Sequence, residues 1–243
     1  MAIPFYRYSY ERAKNDMALD AYRESEAENK RCLEYIQSPE TGLYAKAYKS
    51  NCVDSDGAYT KLLVKKFGLE RLMFLAASTV KAMPEDGRWT EEVREWGGLF
   101  NASCRFGKEA RQYAFTQINP GIVNILAQNL IKKFQNLNLF SSKHCEEECA
   151  GMEGKVIVLS HTALKEEYWT PENQLWLATG GFGCRADARG RAVYATCLYD
   201  GEEACWSREQ VAGVIKDEFL PDWAKKRLES IQNPNPENEL DLN

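Results

Sequence analysis

Apolar residues in the first half of the chain recur at helical spacing and predict a series of helices. A broad apolar face predicts a helix from Leu69 to about Ala82. A further helix should begin at Pro120, because Asn119 and Pro120 suit the capping position and the first helical position. The apolar positions of that helix are Ile122, Val123, Leu126, Leu130, Phe134 and Leu137. We therefore predict a mostly helical domain over residues 1–137.

The opening segment, to about Gln37, is charged and has a weaker apolar stripe. Its apolar positions are Leu19, Tyr22, Leu33 and Ile36. We expect one helix here, with Asp16 as its cap. Because Glu26 and Asn29 interrupt the stripe, this helix should lie on a surface with only part of its face covered.

In the second half of the chain, apolar and polar residues alternate and predict strands. The strands that we expect cover residues 155–160, 175–179, 192–198 and 204–206. Asp200 and Gly201 give the strongest hairpin signal in the chain. Residues 211–215 fit a strand or a short helix, because Ser207 and Gln210 have capping-box spacing just before them.

These elements predict an α+β protein with an N-terminal mostly helical domain followed by a small antiparallel β-rich domain. The polar stretch 138–154 is predicted to be a linker between the two. The second domain should cover 155–232 and end in a helix over Asp222–Ile231. Residues 233–243 are acidic and lack large aromatic residues, which predicts a disordered tail.

Charge and composition exclude several classes of protein. The formal net charge of −5 and the lack of a basic face argue against strong direct nucleic-acid binding and against a membrane-surface protein. No apolar run approaches the roughly 20 residues of a membrane span, and the first residues lack the apolar core of a secretory signal. The eight cysteines are scattered, so we expect reduced thiols and a cytoplasmic protein.

Glycine and arginine residues crowd the loop between the strands 175–179 and 192–198. Glycine lets a backbone approach a ligand closely, and arginine supplies forked donors for carboxylate or phosphate. The loop is therefore a candidate contact for an anion or a partner. The candidate binding residues are Trp176, Gly181, Gly183, Arg185, Arg189 and Arg191. The alternative is a surface hairpin whose glycines only shape the turn.

Neither catalysis nor metal binding is predicted. Cys184 and His161 are the best nucleophile and base that the second domain offers, but a buried structural cysteine is the commoner fate. His144, Cys145 and Cys149 invite a zinc site, yet their spacing lacks the paired ligands of a strong one. The glycine loop has no Gly-Lys-Ser/Thr motif. We therefore expect no catalytic residue, no metal and no cofactor.

Two parts of the sequence resemble known domains. The N-terminal part contains IPFYRYSYERAKNDMALDAYRESEAENKRCLEYIQ and FGLERLMFLAASTVKAMPEDGRWTEEVREW. It resembles an uncharacterised domain-of-unknown-function family carried by phages and conjugative elements of gut Gram-positive bacteria. The C-terminal part contains TPENQLWLATGGFGCRADARGRAVYATCLYDGE and LPDWA and resembles a second module of such elements. The resemblance implies a genetic context and assigns no catalytic residue.

Three functional hypotheses follow. The resemblance implies a non-enzymatic interaction protein of a mobile element. Its partner would be a host protein or nucleoprotein effector, and inhibition of a CRISPR-Cas-type defence system is its sharpest form. The second hypothesis is a nucleotide binder, another small-anion binder or an enzyme that uses the loop 180–191. The third is an accessory of conjugation or phage growth with an element-encoded partner. The sequence leaves the oligomeric state open.

Overall fold

The protein consists of two compact units, Met1–Asn136 and Leu137–Asn243. The computed structural model describes residues 3–40, 42–43, 54, 56–103, 110–147, 151–186 and 190–232. The first unit is helical, and the second contains a five-stranded antiparallel sheet and a C-terminal helix. The predicted α+β class is confirmed. Residues 138–147, assigned to a linker above, fall in the second unit, where Cys145 is buried.

The helices of the first unit follow the apolar pattern closely. They are α1 (Tyr10–Asn15), α2 (Leu19–Gln37), α3 (Ala58–Phe67), α4 (Leu69–Ala82), α5 (Glu91–Ser103) and α6 (Pro120–Gln135). Helix α4 has the bounds predicted from its apolar face. Helix α6 begins at Pro120 as predicted, and the side chain of Asn119 accepts a hydrogen bond from the amide of Gly121 at 2.9 Å.

Helix α4 is the centre of the helical unit. Every residue from Leu69 to Val80 is buried, and the helix contacts α3, α5 and α6. The hydroxyl groups of Ser78 and Thr79 donate to carbonyl groups one turn earlier, at 2.7 and 2.8 Å. Because these hydroxyls are satisfied within the helix, α4 can be buried on all sides without the cost of unpaired polar groups.

The helix predicted to end at about Gln37 is present as α2, but it begins at Leu19, and a separate short helix, α1, precedes it across a break at Asp16–Ala18. Ser9 is the N-cap of α1, and Asp16 lies at its C-terminal end instead of capping a helix start. Met17 then has a φ of 54°, a left-handed conformation that ends α1. The predicted apolar positions therefore all lie on α2, and the predicted cap, Asp16, ends the short helix α1 instead.

Asn29 interrupts the apolar stripe of α2, but it is buried against Arg71 of α4. Arg71 has no exposed surface, and its Nε donates to Oδ1 of Asn29 at 2.9 Å. Its Nη1 donates to the carbonyl groups of Ile3 and Phe67, both at 2.8 Å. The guanidinium group thus ties α2, α4 and the N-terminal segment together with satisfied polar contacts.

The second unit is built on one antiparallel sheet with the strand order β4-β3-β2-β1-β5. Its strands are β1 (Val156–Leu159), β2 (Leu175–Gly180), β3 (Ala192–Cys197), β4 (Glu203–Ser207) and β5 (Val211–Val214). Gly201, with a φ of 81°, turns the chain between β3 and β4 at the predicted hairpin. Of the two alternatives for the region after Ser207, the strand is formed over Val211–Val214 as β5, and a 3₁₀ turn at Arg208–Gln210 precedes it.

The sheet buries one face only in part. Two further helices belong to this unit, α7 (Pro171–Gln174) and α8 (Asp222–Gln232). Helix α8 and apolar side chains of β1 and β2 share one core cluster. Its members are Cys145, Val156, Val158, Leu175, Leu177, Leu198, Ile215, Leu220 and Ala224. On the same face toward β4, Tyr194, Glu203 and Cys205 are exposed.

Candidate functional site

The loop between β2 and β3 begins with an irregularity in the sheet. The pairing of β2 with β3 shifts register between Ala178 and Gly180, and a short 3₁₀ turn at Phe182–Cys184 follows. Extra residues of this kind bend a strand and redirect the side chains after it. The chain then meets Gly151 through an isolated bridge at Arg185. The loop is therefore folded back on the sheet over its first half.

The glycines of the loop allow it to lie against the backbone of β3. At Gly181, which has a φ of 102°, a Cβ atom would stand 2.4 Å from the carbonyl oxygen of Ala192. At Gly183 a Cβ atom would stand 2.5 Å from the carbonyl oxygen of Arg191. Both distances are below any real contact, so larger residues would push the loop away from the strand. These two candidate residues thus serve a close approach of the protein to itself.

Arg208, which is not among the predicted binding residues, holds the loop in place. Its Nη1 donates to the carbonyl oxygen of Gly183 at 2.7 Å and to that of Arg185 at 2.6 Å. Its backbone amide donates to the carbonyl oxygen of Arg191 at 2.8 Å. Hydrogen bonds from a charged donor are stronger than neutral ones. Arg208, the residue that follows β4, therefore binds both the beginning of the loop, at Gly183 and Arg185, and its end, at Arg191.

The loop and the start of β3 expose aromatic and basic side chains, which we call the loop surface: Phe182, Arg185, Arg191 and Tyr194. Phe182 is 67% exposed and Tyr194 is 54% exposed. Arg185 is exposed, and Arg191 forms an exposed ion pair with Glu209 at 2.5 Å. Tyr194 lies beside Gly181, where an added Cβ would stand 3.2 Å from its ring. The loop surface thus combines aromatic side chains with guanidinium groups on a held backbone.

The six candidate binding residues do not share one location. Arg185 and Arg191 lie on the loop surface, whereas Arg189 lies outside the described residues. Trp176 is only 4% exposed, and its indole Nε1 donates to the carbonyl oxygen of Asn173 at 2.8 Å. It packs edge-on against Trp206 with the ring centroids 5.1 Å apart. The structure therefore gives Trp176 a role in the core of the sheet.

The side chain of Cys184 is buried at the loop. It is 1% exposed, and its Sγ donates to the carbonyl oxygen of Gly180 at 3.0 Å. Burial raises the pKa of the Cys184 thiol above its ordinary value, and the nearby carboxylate of Glu153 raises it further. Arg208 favours the thiolate, but its effect on the pKa is smaller than that of burial. A thiol in this state is a poor nucleophile at neutral pH.

His161, the other member of the suggested catalytic pair, packs against an aromatic side chain. Its ring stands edge-on to Trp169, with the centroids 5.6 Å apart. The Trp169 indole Nε1 donates to the backbone carbonyl of His161 at 2.9 Å. These contacts anchor the turn that follows β1 and give His161 a packing role.

The residues of the weak zinc motif have structural partners. The Nδ1 atom of His144 accepts a hydrogen bond from the amide of Ser141 at 3.0 Å. The Sγ atom of Cys145 donates to the carbonyl oxygen of Ser141 at 3.6 Å, and Cys149 lies outside the described residues. In the part of the chain that the structure describes, no three His, Cys, Asp or Glu side chains gather as a metal site.

The geometry describes a two-unit α+β protein whose sheet unit displays a held, exposed loop. Residues 5–135 match the family described as "Protein of unknown function (DUF3849)", so the chain belongs to that family. The match covers the helical unit and ends before the loop. No curated protein and no solved structure matches the chain. Across the described ranges, no helix is both long and apolar enough to cross a membrane.

Proposed function

We propose that this protein works by binding another macromolecule through the loop surface, without catalysing a reaction. The observation that carries the proposal is that Phe182, Arg185, Arg191 and Tyr194 are all exposed along the loop and the start of β3. Aromatic and arginine side chains dominate the residues that contribute most to protein interfaces. Because Arg208 holds the loop backbone, little ordering entropy would be lost on binding.

The partner that we propose is a host protein or nucleoprotein effector in the cytoplasm. The support is the resemblance to domains carried by phages and conjugative elements, whose products meet host defence systems early in a new cell. Inhibition of a CRISPR-Cas-type effector is the specific form of the hypothesis. The arginines of the loop surface would contribute charge-assisted hydrogen bonds to acidic groups of such a partner.

The test is capture of the partner by variants that differ only at the surface. Tagged protein is purified from a nuclease-treated host lysate, and bound species are identified by mass spectrometry. The paired variants are Phe182→Ala with Tyr194→Ala and, separately, Arg185→Ala with Arg191→Ala. The control is Tyr168→Ala, which removes an aromatic side chain that is 48% exposed on another turn of the same unit.

We expect wild type and the Tyr168→Ala variant to retain one host effector in stoichiometric amount. Both paired loop variants should lose it while their melting temperatures stay within about 2 °C of wild type, because exposed side chains contribute little to folding. Equal capture by all variants would contradict the loop surface as the site. Recovery of an element-encoded protein instead of a host one would favour the accessory role.

A small anionic ligand is the alternative that the sequence offered, and the loop gives it weaker support. Anion sites need backbone amides aimed at the ligand. Here the amide of Cys184 donates to the carbonyl of Gly181, and that of Arg185 donates to the carbonyl of Phe182. A thermal-shift screen with nucleotides tests this reading. A ligand at a hundred times its dissociation constant should add about 2.7 kcal/mol of stability.

A further inference from the structure

The two edges of the sheet end differently. Beyond β5, the amide of Glu146 donates to the carbonyl of Val214 at 2.8 Å, and the amide of Lys216 donates to the carbonyl of His144 at 3.0 Å. A bridge between Cys145 and Ile215 completes this cover. At the opposite edge, β4 pairs with β3, and no other described segment pairs with it. The edge at β4 is therefore open within the described part of the chain.

The hydrogen-bond pattern shows which backbone groups of β4 face outward. The amide of Cys197 donates to the carbonyl of Glu202, and the amide of Arg208 donates to the carbonyl of Arg191. Because bonded and non-bonded pairs alternate in an antiparallel ladder, the even-numbered residues of β4 bond to β3. The amide and carbonyl groups of Glu203 and Cys205 consequently point away from the sheet.

Strand β4 carries one charged residue, the exposed Glu203, but it lacks other features that protect exposed edges. Natural edge strands carry lysine, proline or a bulge that disturbs further pairing. The β4 sequence, EACWS, contains neither lysine nor proline, and its register with β3 is regular over the whole strand. Among the described residues, the outward amide is used only at Ser207, where it donates to Oε1 of Gln210 at 2.8 Å. The strand is thus ready to accept another strand along Glu203–Cys205.

We propose that β4 pairs with β4 of a second copy of this chain, antiparallel about a two-fold axis at Cys205. In that register, Cys205 faces Cys205 of the second copy, Glu203 faces Ser207, and Ala204 faces Trp206. One step further out, Glu202 faces Arg208, whose two bonds to the loop both use Nη1.

The segment is self-complementary in size and in charge. Residues that face each other across a ladder point to the same side of the sheet, so each pair can form contacts. A large indole meets a small alanine, and an acidic end of the strand meets a basic end. A two-fold axis requires this kind of matching, because both copies use the same surface. About four backbone hydrogen bonds would then join two five-stranded sheets.

The oligomeric state of the purified full chain tests the proposal, with no host protein present. Sedimentation velocity and light scattering are measured over a range of protein concentrations. We expect wild type and Cys205→Ser to form dimers. Cys205→Lys should raise the dimer dissociation constant at least about tenfold, because it places two like charges face to face at the axis. Its melting temperature, measured at a concentration where wild type is monomeric, should not change.

A matched variant separates the edge from its neighbour. Thr196 lies on β3 and points to the same face as Cys205, but it is one strand further in. Thr196→Lys therefore adds the same charge without facing the axis, and it should leave the dimer intact. A monomer at every concentration would overturn the proposal, as would dimers that Cys205→Lys leaves unchanged. If the natural occupant of the β4 edge is a strand of another protein, the purified chain should be a monomer at every concentration.

The register is tested by oxidation with diamide. Facing residues in a bonded antiparallel pair have Cα atoms about 5.5 Å apart, which is within the range of disulfides. Two Cys205 thiols would form one disulfide, and diamide would take up the two protons and two electrons. We expect a covalent dimer joined through Cys205 in the peptide map and no such dimer with Cys205→Ser. Cross-linking that persists in that variant would contradict the register.

Discussion

Arg208→Ala is the change that tests how the loop surface is held. The side chain of Arg208 is partly buried and donates to the carbonyl oxygens of Gly183 and Arg185 through Nη1. Alanine removes both bonds. The backbone bond from residue 208 to the carbonyl of Arg191 remains, because it does not depend on the side chain. The expected effect is therefore local to the 3₁₀ turn and the residues after it.

The magnitude follows from the surroundings of the two carbonyl groups. A hydrogen bond from a charged donor contributes about 1.5–3 kcal/mol, but solvent reduces this value at exposed sites. Gly183 is buried, so its carbonyl would lose a partner that water replaces poorly. The bond to Arg185 is exposed and adds little. We therefore expect a loss of about 2 kcal/mol, or roughly a thirtyfold rise in the opening equilibrium of the loop.

Hydrogen exchange measured by mass spectrometry gives the assay. The amides of Cys184 and Arg185 are bonded within the loop, so their exchange reports its opening. We expect exchange roughly thirtyfold faster in Arg208→Ala. Arg191→Ala is the control, since it removes an exposed ion pair beside the same loop, which contributes less than about 1 kcal/mol. Equally faster exchange in both variants, or unchanged exchange in Arg208→Ala, would show that the Arg208 side chain does not hold the loop.

Three other predictions concern stability, packing and titration. Arg71→Met should lower the free energy of unfolding of the helical unit by about 3–5 kcal/mol in a urea titration, because it removes a fully buried donor from its hydrogen-bond network. Arg12→Ala, which removes an exposed ion pair, should lower the free energy of unfolding by less than about 1 kcal/mol in the same experiment. A loss as large as that of Arg71→Met would contradict the role of burial. Gly183→Ala should lower the free energy of unfolding by about 1–3 kcal/mol, because its Cβ would meet the backbone of Arg191. It should also speed hydrogen exchange in peptides of β2 and β3. Unchanged exchange would contradict the close approach of the loop to β3. Hydrogen bonds from Arg88 lower the pKa of Asp86 to about 2, so its contribution to stability is present above the ordinary pKa of 3.8 and fades as the pH falls toward 2. Carbon-detected NMR should show this titration, and a midpoint near 4 would contradict the pair.

Elements with a strong local signal were predictable from the sequence. Helix α4 is buried on every side, so its apolar run is long and leaves little doubt about its bounds. Helix α6 combines a cap, a proline at its start and a regular apolar stripe. The turn at Gly201 requires a positive φ, which glycine supplies. In each case, the determinants lie within a few residues of the element.

Features that depend on distant partners were not predictable. Asn29 interrupts an apolar stripe, and nothing near it in the sequence shows that Arg71 will bury it, 42 residues away. Arg208 is separated by 25 residues from the carbonyl of Gly183 that it holds. A side chain that satisfies a remote backbone group has no periodicity to reveal it. The only local hint at Arg208 was the capping box formed by Ser207 and Gln210.

The glycines of the loop illustrate why composition alone is a weak guide to a binding site. Gly181 and Gly183 are accounted for by the approach of the loop to β3, so their presence needs no ligand. The exposed rings of Phe182 and Tyr194 have no such explanation, because an aromatic side chain in water adds little to the stability of the fold. Their exposure, beside arginine on a backbone that Arg208 holds, is what a binding partner would explain. Loss of capture at these side chains, with an unchanged melting temperature, is therefore the result that distinguishes function from folding.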